Sequence, residues 1–173
     1  MQRSAEERFD DIYRRHADAV TAYVRRRCPP DSVEDVVGET FVICWRKLEQ
    51  VPAEPLPWLY AVARKTLANE RRAAARPPLV TASEATVESP EIEGDPVLAR
   101  AFARLAEPDR EILRLVAWEQ LSLREAACAL GCSYVACRVR FHRARRRLAA
   151  HLERLENPST AANPRSRPEG VSP

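Results

Sequence analysis

Glycine is scarce in this chain of 173 residues, with only four, and aromatic side chains make up just 6% of it. Strand-rich folds need turn glycines and aromatic or β-branched runs, so these shortages argue against them. Nothing approaches the roughly 20 apolar residues of a membrane span, and the charged N-terminus has no signal-peptide core. The five cysteines are odd in number, which fits reduced thiols better than a disulfide framework. We therefore expect a cytoplasmic protein without membrane insertion.

The abundant residues are Ala, Arg, Leu and Glu, which are good helix formers. The chain is 45% apolar and 31% charged, enough of each for a packed core under a solvated surface. We therefore expect an all-α protein, and its length allows one domain or two small ones.

The net charge of +3 is unevenly distributed along the chain. Residues 1–76 carry 14 basic and 12 acidic side chains, residues 77–96 carry five acidic and no basic ones, and residues 97–156 carry 12 basic and seven acidic ones. This basic–acidic–basic order suggests two nucleic-acid-facing modules joined by an acidic linker. The cations are almost all arginine, whose planar fork suits phosphates and guanine edges, although a GC-rich genome would produce the same bias.

Capping residues and prolines divide the chain into predicted helices. A capping box at Ser4 opens the first helix, Cys28-Pro29-Pro30 ends it, and Asp31 or Ser32 caps the second. The three prolines between Val51 and Pro57 predict a loop. Periodicity then predicts helices at about 58–75, 96–105, 109–119, 123–130 and 134–155.

Composition separates two small helical domains. Residues 77–96 are rich in Pro, Ser, Thr, Glu and Asp, too polar to bury a core, and predict a flexible acidic linker. Residues 156–173 hold four prolines and no periodicity, which predicts a disordered tail. The predicted domains are therefore residues 1–76 and 97–155.

A helix-turn-helix is predicted in the second domain. Ser122 and Glu125 form a capping box, Gly131 stands where a helix needs a left-handed residue, and Ser133 caps a new helix two residues later. The new helix begins at Tyr134, and its predicted inward face holds Cys137, Phe141, Ala144, Leu148 and Leu152.

The remaining surface of this last helix is strongly basic. Six arginines lie between positions 138 and 147, and no acid follows until Glu153. The early turns suit the major groove, where Arg reads guanine, and the later arginines suit phosphates. The alternative is a solvated basic face of an ordinary bundle.

A second pattern lies in the first domain, where Asp35 and Glu39 share one edge of a predicted helix. Like charges at this spacing cost a few tenths of a kcal/mol, which a basic partner surface would remove. Paired carboxylates also occur as acid/base catalysts or metal ligands. No carboxylate–histidine set, glycine-rich phosphate loop or nucleophile motif accompanies this pair.

The order of these motifs resembles the extracytoplasmic-function (group IV) bacterial sigma factors. Asp35-Val-Val-Gly-Glu-Thr-Phe with Trp45 is similar to the core-polymerase-binding helix of sigma region 2, and Pro57-Trp58-Leu-Tyr-Ala-Val-Ala-Arg64 is similar to the start of its promoter-reading helix. Pro108-Asp-Arg-Glu-Ile-Leu-Arg-Leu and the helix-turn-helix resemble sigma region 4. The resemblance covers about residues 8–152.

Two residues depart from the family pattern. Gly38 stands inside a predicted helix where the family usually has Gln, and Lys65 replaces a common Asn. Either change could shift polymerase or promoter contacts, but neither removes the pattern.

The resemblance implies a non-enzymatic RNA polymerase sigma factor that recognises the minus-ten and minus-thirty-five promoter elements, without metal, cofactor or small-molecule substrate. Its partners would be promoter DNA and the core polymerase, at the clamp helices of the largest subunit and at the flap. The acidic linker would follow the RNA-exit path. The sequence leaves open whether an anti-sigma factor also binds.

The resemblance also implies roles for individual residues. The core-polymerase-binding residues would be Asp35, Glu39, Thr40 and Phe41. The loop 49–57 would capture an extruded base of the minus-ten element. The minus-ten DNA would be bound by Pro57, Trp58, Arg64, Lys65, Arg71 and Arg72. The minus-thirty-five DNA would be bound by Ser133, Arg138, Val139, Arg140, His142, Arg143, Arg145 and Arg146.

Three alternatives remain at this point. A stand-alone helix-turn-helix regulator would need only residues 97–155, and an enzyme with a helical carboxylate or metal site would need a residue set that the sequence does not show. Cys128, Cys132, Cys137 and His142 have spacings that a zinc or redox site could use. We expect Cys128 and Cys137 instead to be buried as small hydrophobic residues. We also expect the three tryptophans to lie in or beside the core, with a DNA-side role as the alternative for Trp58.

Overall fold

The computed structural model describes residues 4–74 and 95–157, and these ranges contain seven α-helices and no strand. The helices are α1 (Ala5–Arg25), α2 (Val33–Arg46), α3 (Pro55–Ala74), α4 (Pro96–Ala103), α5 (Glu107–Ala117), α6 (Leu123–Leu130) and α7 (Tyr134–Glu156). The all-α prediction is confirmed. Most of the predicted linker and all but the first two residues of the predicted tail lie outside the described residues.

Helices α1, α2 and α3 form the N-terminal half. The predicted capping box opens α1, because the Glu7 amide donates to Ser4 Oγ at 3.1 Å and the Ser4 amide donates to the Glu7 carboxylate at 3.0 Å. The apolar stripes of the three helices meet in one core, where Val20, Cys44 and Leu59 are fully buried. This half thereby fixes the outward-facing residues of α2 and α3.

Two local predictions in this half are wrong. Helix α3 begins at Pro55 rather than near Trp58, and Pro57 lies in its first turn, where a missing amide hydrogen costs no helical bond. The irregular stretch directly before α3 is therefore limited to residues 51–54, which follow a 3₁₀ turn at Leu48–Gln50. Ser32 makes no side-chain capping bond to α2, and a 3₁₀ turn at Pro30–Ser32 leads into that helix instead.

Helices α4 to α7 form the C-terminal half. Asp95 caps α4 as predicted, accepting bonds from the amides of Val97 at 2.8 Å and Leu98 at 3.1 Å. Helix α5 lies two residues earlier than predicted, at Glu107–Ala117, while α6 and the start of α7 match the prediction. Small residues of α6 are buried, including Ala126 and Ala129, which allows its neighbours to approach closely.

The two halves pack directly against each other, with α3 lying along α6. Tyr23 of α1 is fully buried, stacks on Tyr60 at 4.6 Å between ring centroids, and donates its hydroxyl to Glu111 of α5 at 2.9 Å. The sequence predicted two modules but did not predict this contact between them.

Candidate nucleic-acid and polymerase interfaces

The helix-turn-helix is built from α6, a tight turn and α7. The Glu125 amide donates to Ser122 Oγ at 3.3 Å, and the Ser122 amide donates back to Glu125 at 2.8 Å. Hydrogen bonds to the Glu125 carboxylate from the side chain and the backbone of Ser122 lower the pKa of Glu125. Gly131 ends α6 at a φ of +66°, and Ser133 caps α7 by accepting from the Ala136 amide at 3.2 Å. The sequence prediction of this motif is confirmed.

The outer face of α7 carries the predicted minus-thirty-five residues, and each of them is exposed. They are Ser133, Arg138, Val139, Arg140, His142, Arg143, Arg145 and Arg146. Cys137 and Ala144 hold the opposite face in the core, whereas Phe141 is only partly buried. A long cationic helix face is thus presented to solvent next to a tight turn, which is the geometry that a major-groove reader needs.

Two exposed apolar residues of the first turn of α7 were not among the predicted site residues. Tyr134 is 41% exposed and Val135 is 66% exposed, and Val139 continues this strip one turn later at 41%. Apolar side chains at such positions contact thymine methyl groups in the major groove. The sequence could have identified them by their position, because the first turn of the second helix is the part of a helix-turn-helix that enters the groove.

The acidic edge of α2 is also exposed. Asp35 and Glu39 both lie on the surface, as the sequence predicted. Thr40 and Phe41, which the sequence grouped with them, are buried at 0% and 4% exposure. The Thr40 hydroxyl donates to the Val36 carbonyl at 2.7 Å, so this residue supports the helix rather than offering a contact surface.

An aromatic cluster adjoins the acidic edge and consists of Phe9, Tyr13, Phe41 and Trp45. The Trp45 ring lies 5.3 Å from the Phe9 ring, and the Tyr13 ring lies 4.8 Å from the Phe41 ring. Tyr13 and Trp45 are each 46% exposed, so the expectation that Trp45 lies in or beside the core holds only for part of its ring. Exposed aromatic groups beside charge are typical of protein-binding surfaces.

The α3 residues predicted to bind minus-ten DNA have different environments. Lys65 and Arg72 are exposed, Trp58 is partly buried, and Pro57 is buried and presents no surface to a ligand. Arg64 donates from Nε to the Ala129 carbonyl at 3.3 Å and from Nη2 to the Leu130 carbonyl at 3.0 Å. Arg71 donates to the Arg27 carbonyl at 2.9 Å.

A cavity of about 320 Å³ opens beside the irregular residues 51–54. Pro52 and Pro55 line one side of it, and Arg15 and His16 of α1 line the other. Arg8 also lines it and fixes the loop, donating from Nη2 to the Val51 carbonyl at 2.6 Å. Burial, with the charge of Arg15, lowers the pKa of His16.

The cysteines do not form a site among the described residues. Cys137 is buried as predicted, and burial raises the pKa of its thiol. Cys128 is exposed, so its predicted burial is wrong, because the inward face of α6 is taken by Ala126, Ala127 and Ala129. Within residues 4–74 and 95–157, no three His, Cys, Asp or Glu side chains are grouped as a metal site would require. No helix in those ranges has the length and apolar character needed to cross a membrane.

Comparison with known proteins covers both halves. The Sigma-70 region 2 family matches residues 12–77, and the Sigma-70, region 4 family matches residues 97–148. The RNA polymerase sigma factor NccH of Alcaligenes xylosoxydans xylosoxydans is 32% identical over 161 residues, which cover 84% of this chain and 87% of that protein.

Two solved structures are similar to this chain in fold. CnrH, solved in complex with the cytosolic domain of CnrY, is 27% identical with a TM-score of 0.57, over 84% of this chain and 87% of that one. RpoE of Bartonella quintana, solved with the anti-sigma factor NepR, is 22% identical with a TM-score of 0.61, over 84% and 96% of the two chains. The latter likeness concerns the fold alone.

The match to region 2 removes the stand-alone regulator as an explanation, since that class would leave α1 to α3 without a role. The enzyme alternative is removed as well, because the matched family is not enzymatic. Helices α1 to α3 and α4 to α7 are accordingly region 2 and region 4, and the chain belongs to the sigma-70 family as an RNA polymerase sigma factor of the extracytoplasmic-function type.

Proposed function

We propose that this sigma factor docks on core RNA polymerase through α2, reads the minus-thirty-five element with α7, and opens the minus-ten element on α3 and the loop before it. The observation that carries the proposal is the outer face of α7, where the predicted DNA-binding residues are exposed immediately after a capped helix-turn-helix. Family membership supplies the polymerase as the partner.

The proposed polymerase-binding face combines charge with apolar area. Asp35 and Glu39 supply two carboxylates, and Val42 and Trp45 supply exposed apolar area on the same helix. An interface of this kind gains affinity from the apolar centre, while the acidic edge guides a basic partner into register. We propose the clamp helices of the largest subunit as that partner, with the flap as the contact of region 4.

The proposed minus-ten site uses the cavity beside residues 51–54. A base extruded from the duplex would enter between Pro52 and the α1 residues Arg15 and His16. Unstacking a base costs a few kcal/mol, which contacts in such a pocket must offset. Lys65 and Arg72 are exposed on α3 and would hold the neighbouring phosphates.

An anti-sigma factor is a further proposed partner. The support is the likeness to CnrH, which was solved with the cytosolic domain of CnrY. The exposed aromatic pair Tyr13 and Trp45 is an apolar surface that such a partner could cover when polymerase is absent.

The test of the docking face is a double charge reversal, Asp35→Lys with Glu39→Lys. Native-gel titration against core polymerase should show weaker binding, and run-off transcription should fall in parallel. Glu6→Lys with Asp10→Lys is the matched control, because these two exposed carboxylates have the same spacing on α1. Equal affinity for the variant, the control and the unchanged chain, with unchanged circular dichroism, would remove α2 from the interface.

A further inference from the structure

A cleft of about 320 Å³ lies between region 2 and region 4, and arginines from both regions line it. Arg27 comes from the residues that follow α1, Arg64 and Arg71 come from α3, and Arg140 comes from α7. We name this space the arginine cleft. Guanidinium groups that share one cleft repel each other, so the cleft favours an anion among them.

The carboxylates of the cleft do not balance its cations. Among the described residues that line it, Glu107 and Glu111 are acidic, against four arginines. Both carboxylates already have partners: Glu107 pairs with Arg110 at 2.9 Å, and Glu111 accepts from Arg27 Nε and from the Tyr23 hydroxyl, each at 2.9 Å. The lining therefore has an excess of two positive charges, which suits a ligand that carries negative charge.

Arg27 is only 3% exposed, yet one of its nitrogens lacks an acceptor. Its Nε donates to Glu111, and its Nη1 donates to the Tyr23 carbonyl at 2.9 Å and to Glu119 at 3.0 Å. Its Nη2 is buried and has no hydrogen-bond partner within residues 4–74 and 95–157. A buried donor without an acceptor is unfavourable, so an anion beside Arg27 would be stabilised.

Backbone carbonyls hold two of the other arginines in place. Arg64 donates from Nε and Nη2 to the last two carbonyls of α6, and Arg71 donates from Nη2 to the Arg27 carbonyl. A guanidinium has five N–H donors, so each of these side chains keeps donors for a ligand. Positioned guanidinium groups bind phosphate oxygens in pairs, which makes phosphate the anion that this lining fits best.

The cleft also has an apolar part, formed by Leu67 and Ala68 of α3 and by Leu130 at the end of α6. Ligand pockets combine apolar lining with a few polar groups, and their volumes run from about 300 to 1,000 Å³. The arginine cleft is at the small end of this range. It therefore suits one phosphate-bearing group attached to a compact, less polar body, and arginine also stacks on the planar rings of nucleobases.

We propose that the arginine cleft is a binding site for a small phosphate-bearing metabolite of the nucleoside phosphate class. The phosphates bind Arg64, Arg71 and Arg140 beside the buried Arg27, and the nucleoside packs on the apolar lining. This site goes beyond the proposed function, because its ligand is a small molecule and not a promoter element. DNA carries the same phosphate chemistry, and the experiment separates these two sources.

The test is isothermal titration calorimetry of the full chain with ADP and with GDP at constant ionic strength. At least one of these nucleotides should bind, and adenosine and guanosine, which lack the phosphates, should bind far more weakly. Arg71→Gln and Arg140→Gln should each weaken nucleotide binding about tenfold or more, because each removes a charge-assisted contact. Arg72→Gln and Arg146→Gln are the matched controls, exposed on the same two helices but outside the lining, and should leave the affinity nearly unchanged.

The proposal is overturned if neither nucleotide binds at millimolar concentration, if the nucleosides bind as tightly as the nucleotides, or if the controls lose as much affinity as the cleft variants. A labelled DNA duplex is titrated in parallel. If the cleft variants lose affinity for the duplex while no nucleotide binds, the phosphates recognised are those of DNA and the proposal is wrong. Circular dichroism checks the fold of each variant, and Arg140→Gln changes an exposed side chain, so the test does not depend on Arg71→Gln alone.

Discussion

Two glycines in this chain provide a matched test of backbone energetics, because a Cβ added at either one meets no atom within 4 Å. Gly38 lies in the middle of α2 and is exposed, whereas Gly131 ends α6 with a φ of +66°. Crowding is thus equal at the two sites, and only the backbone conformation differs.

Gly38→Ala should stabilise the protein by about 0.5–1 kcal/mol, since glycine in a helix interior is less favourable than alanine by that amount. Gly131→Ala should destabilise it by about 1 kcal/mol, because the left-handed conformation costs an L-residue roughly 1–2 kcal/mol, only partly offset by a stiffer unfolded chain. The two variants should therefore differ by about 1.5–2 kcal/mol.

Urea unfolding of the full chain, followed by circular dichroism, gives both free energies of unfolding. A change of 1 kcal/mol corresponds to a shift in Tm of about 2–4 °C for a chain of this size. Shifts of the same sign in both variants would refute the reasoning, because the glycine at position 38 would then serve something other than the helix.

Three further outcomes are expected. Arg138→Ala or Arg143→Ala should lose about 1–3 kcal/mol of binding free energy on the preferred promoter and relax specificity at one base pair, whereas Arg146→Ala should weaken binding to all promoters alike and lower the slope of log affinity against log salt by about 1. Promoter-library transcription by holoenzyme checks this, and an equal reduction at every promoter in Arg138→Ala or Arg143→Ala would contradict the base-reading assignment. Burial, with the charge of Glu119, raises the pKa of Tyr60 to about 12, so the stability that the protonated hydroxyl contributes is complete below the unfolded pKa near 10 and is lost as pH rises through 12. Tyr60→Phe should therefore reduce the fall in the free energy of unfolding between these two pH values, and an identical fall would rule out Tyr60 as its source. Phe141 is only partly buried, so Phe141→Ala should cost less than the roughly 3–5 kcal/mol of a fully buried phenylalanine, measured by urea unfolding, and a larger loss would mean that its contacts were underrated.

Elements whose causes are local could be predicted from the sequence alone. Ser4, Asp95 and Ser122 each cap a helix through bonds to amides two or three residues away, so their patterns were readable directly. The spacing of Cys137 and Ala144 likewise identified the inner face of α7, and with it the exposed arginines. The order of the motifs then led to the sigma-70 family, which the family matches confirm.

Some predictions were wrong because the residues at that position are compatible with more than one local structure or role. Three prolines predicted a loop up to Pro57, although a proline in the first turn of a helix loses no bond and α3 begins at Pro55. Thr40 was assigned to the contact surface by the resemblance alone, whereas its spacing from Val36 and Cys44 correctly places its side chain in the core.

Which surfaces meet depends on how the two halves dock, and no local pattern in the sequence predicts that docking. The groups that bond the two regions to each other are far apart in sequence, 88 positions for Tyr23 and Glu111 and 92 for Arg27 and Glu119. A glutamate on a helix end has the same local pattern whether it faces water or an arginine, and its burial depends on how two domains dock. The engagement of Arg64 by the end of α6 has the same origin, because a guanidinium binds a phosphate or a helix carbonyl according to which of them the fold brings near.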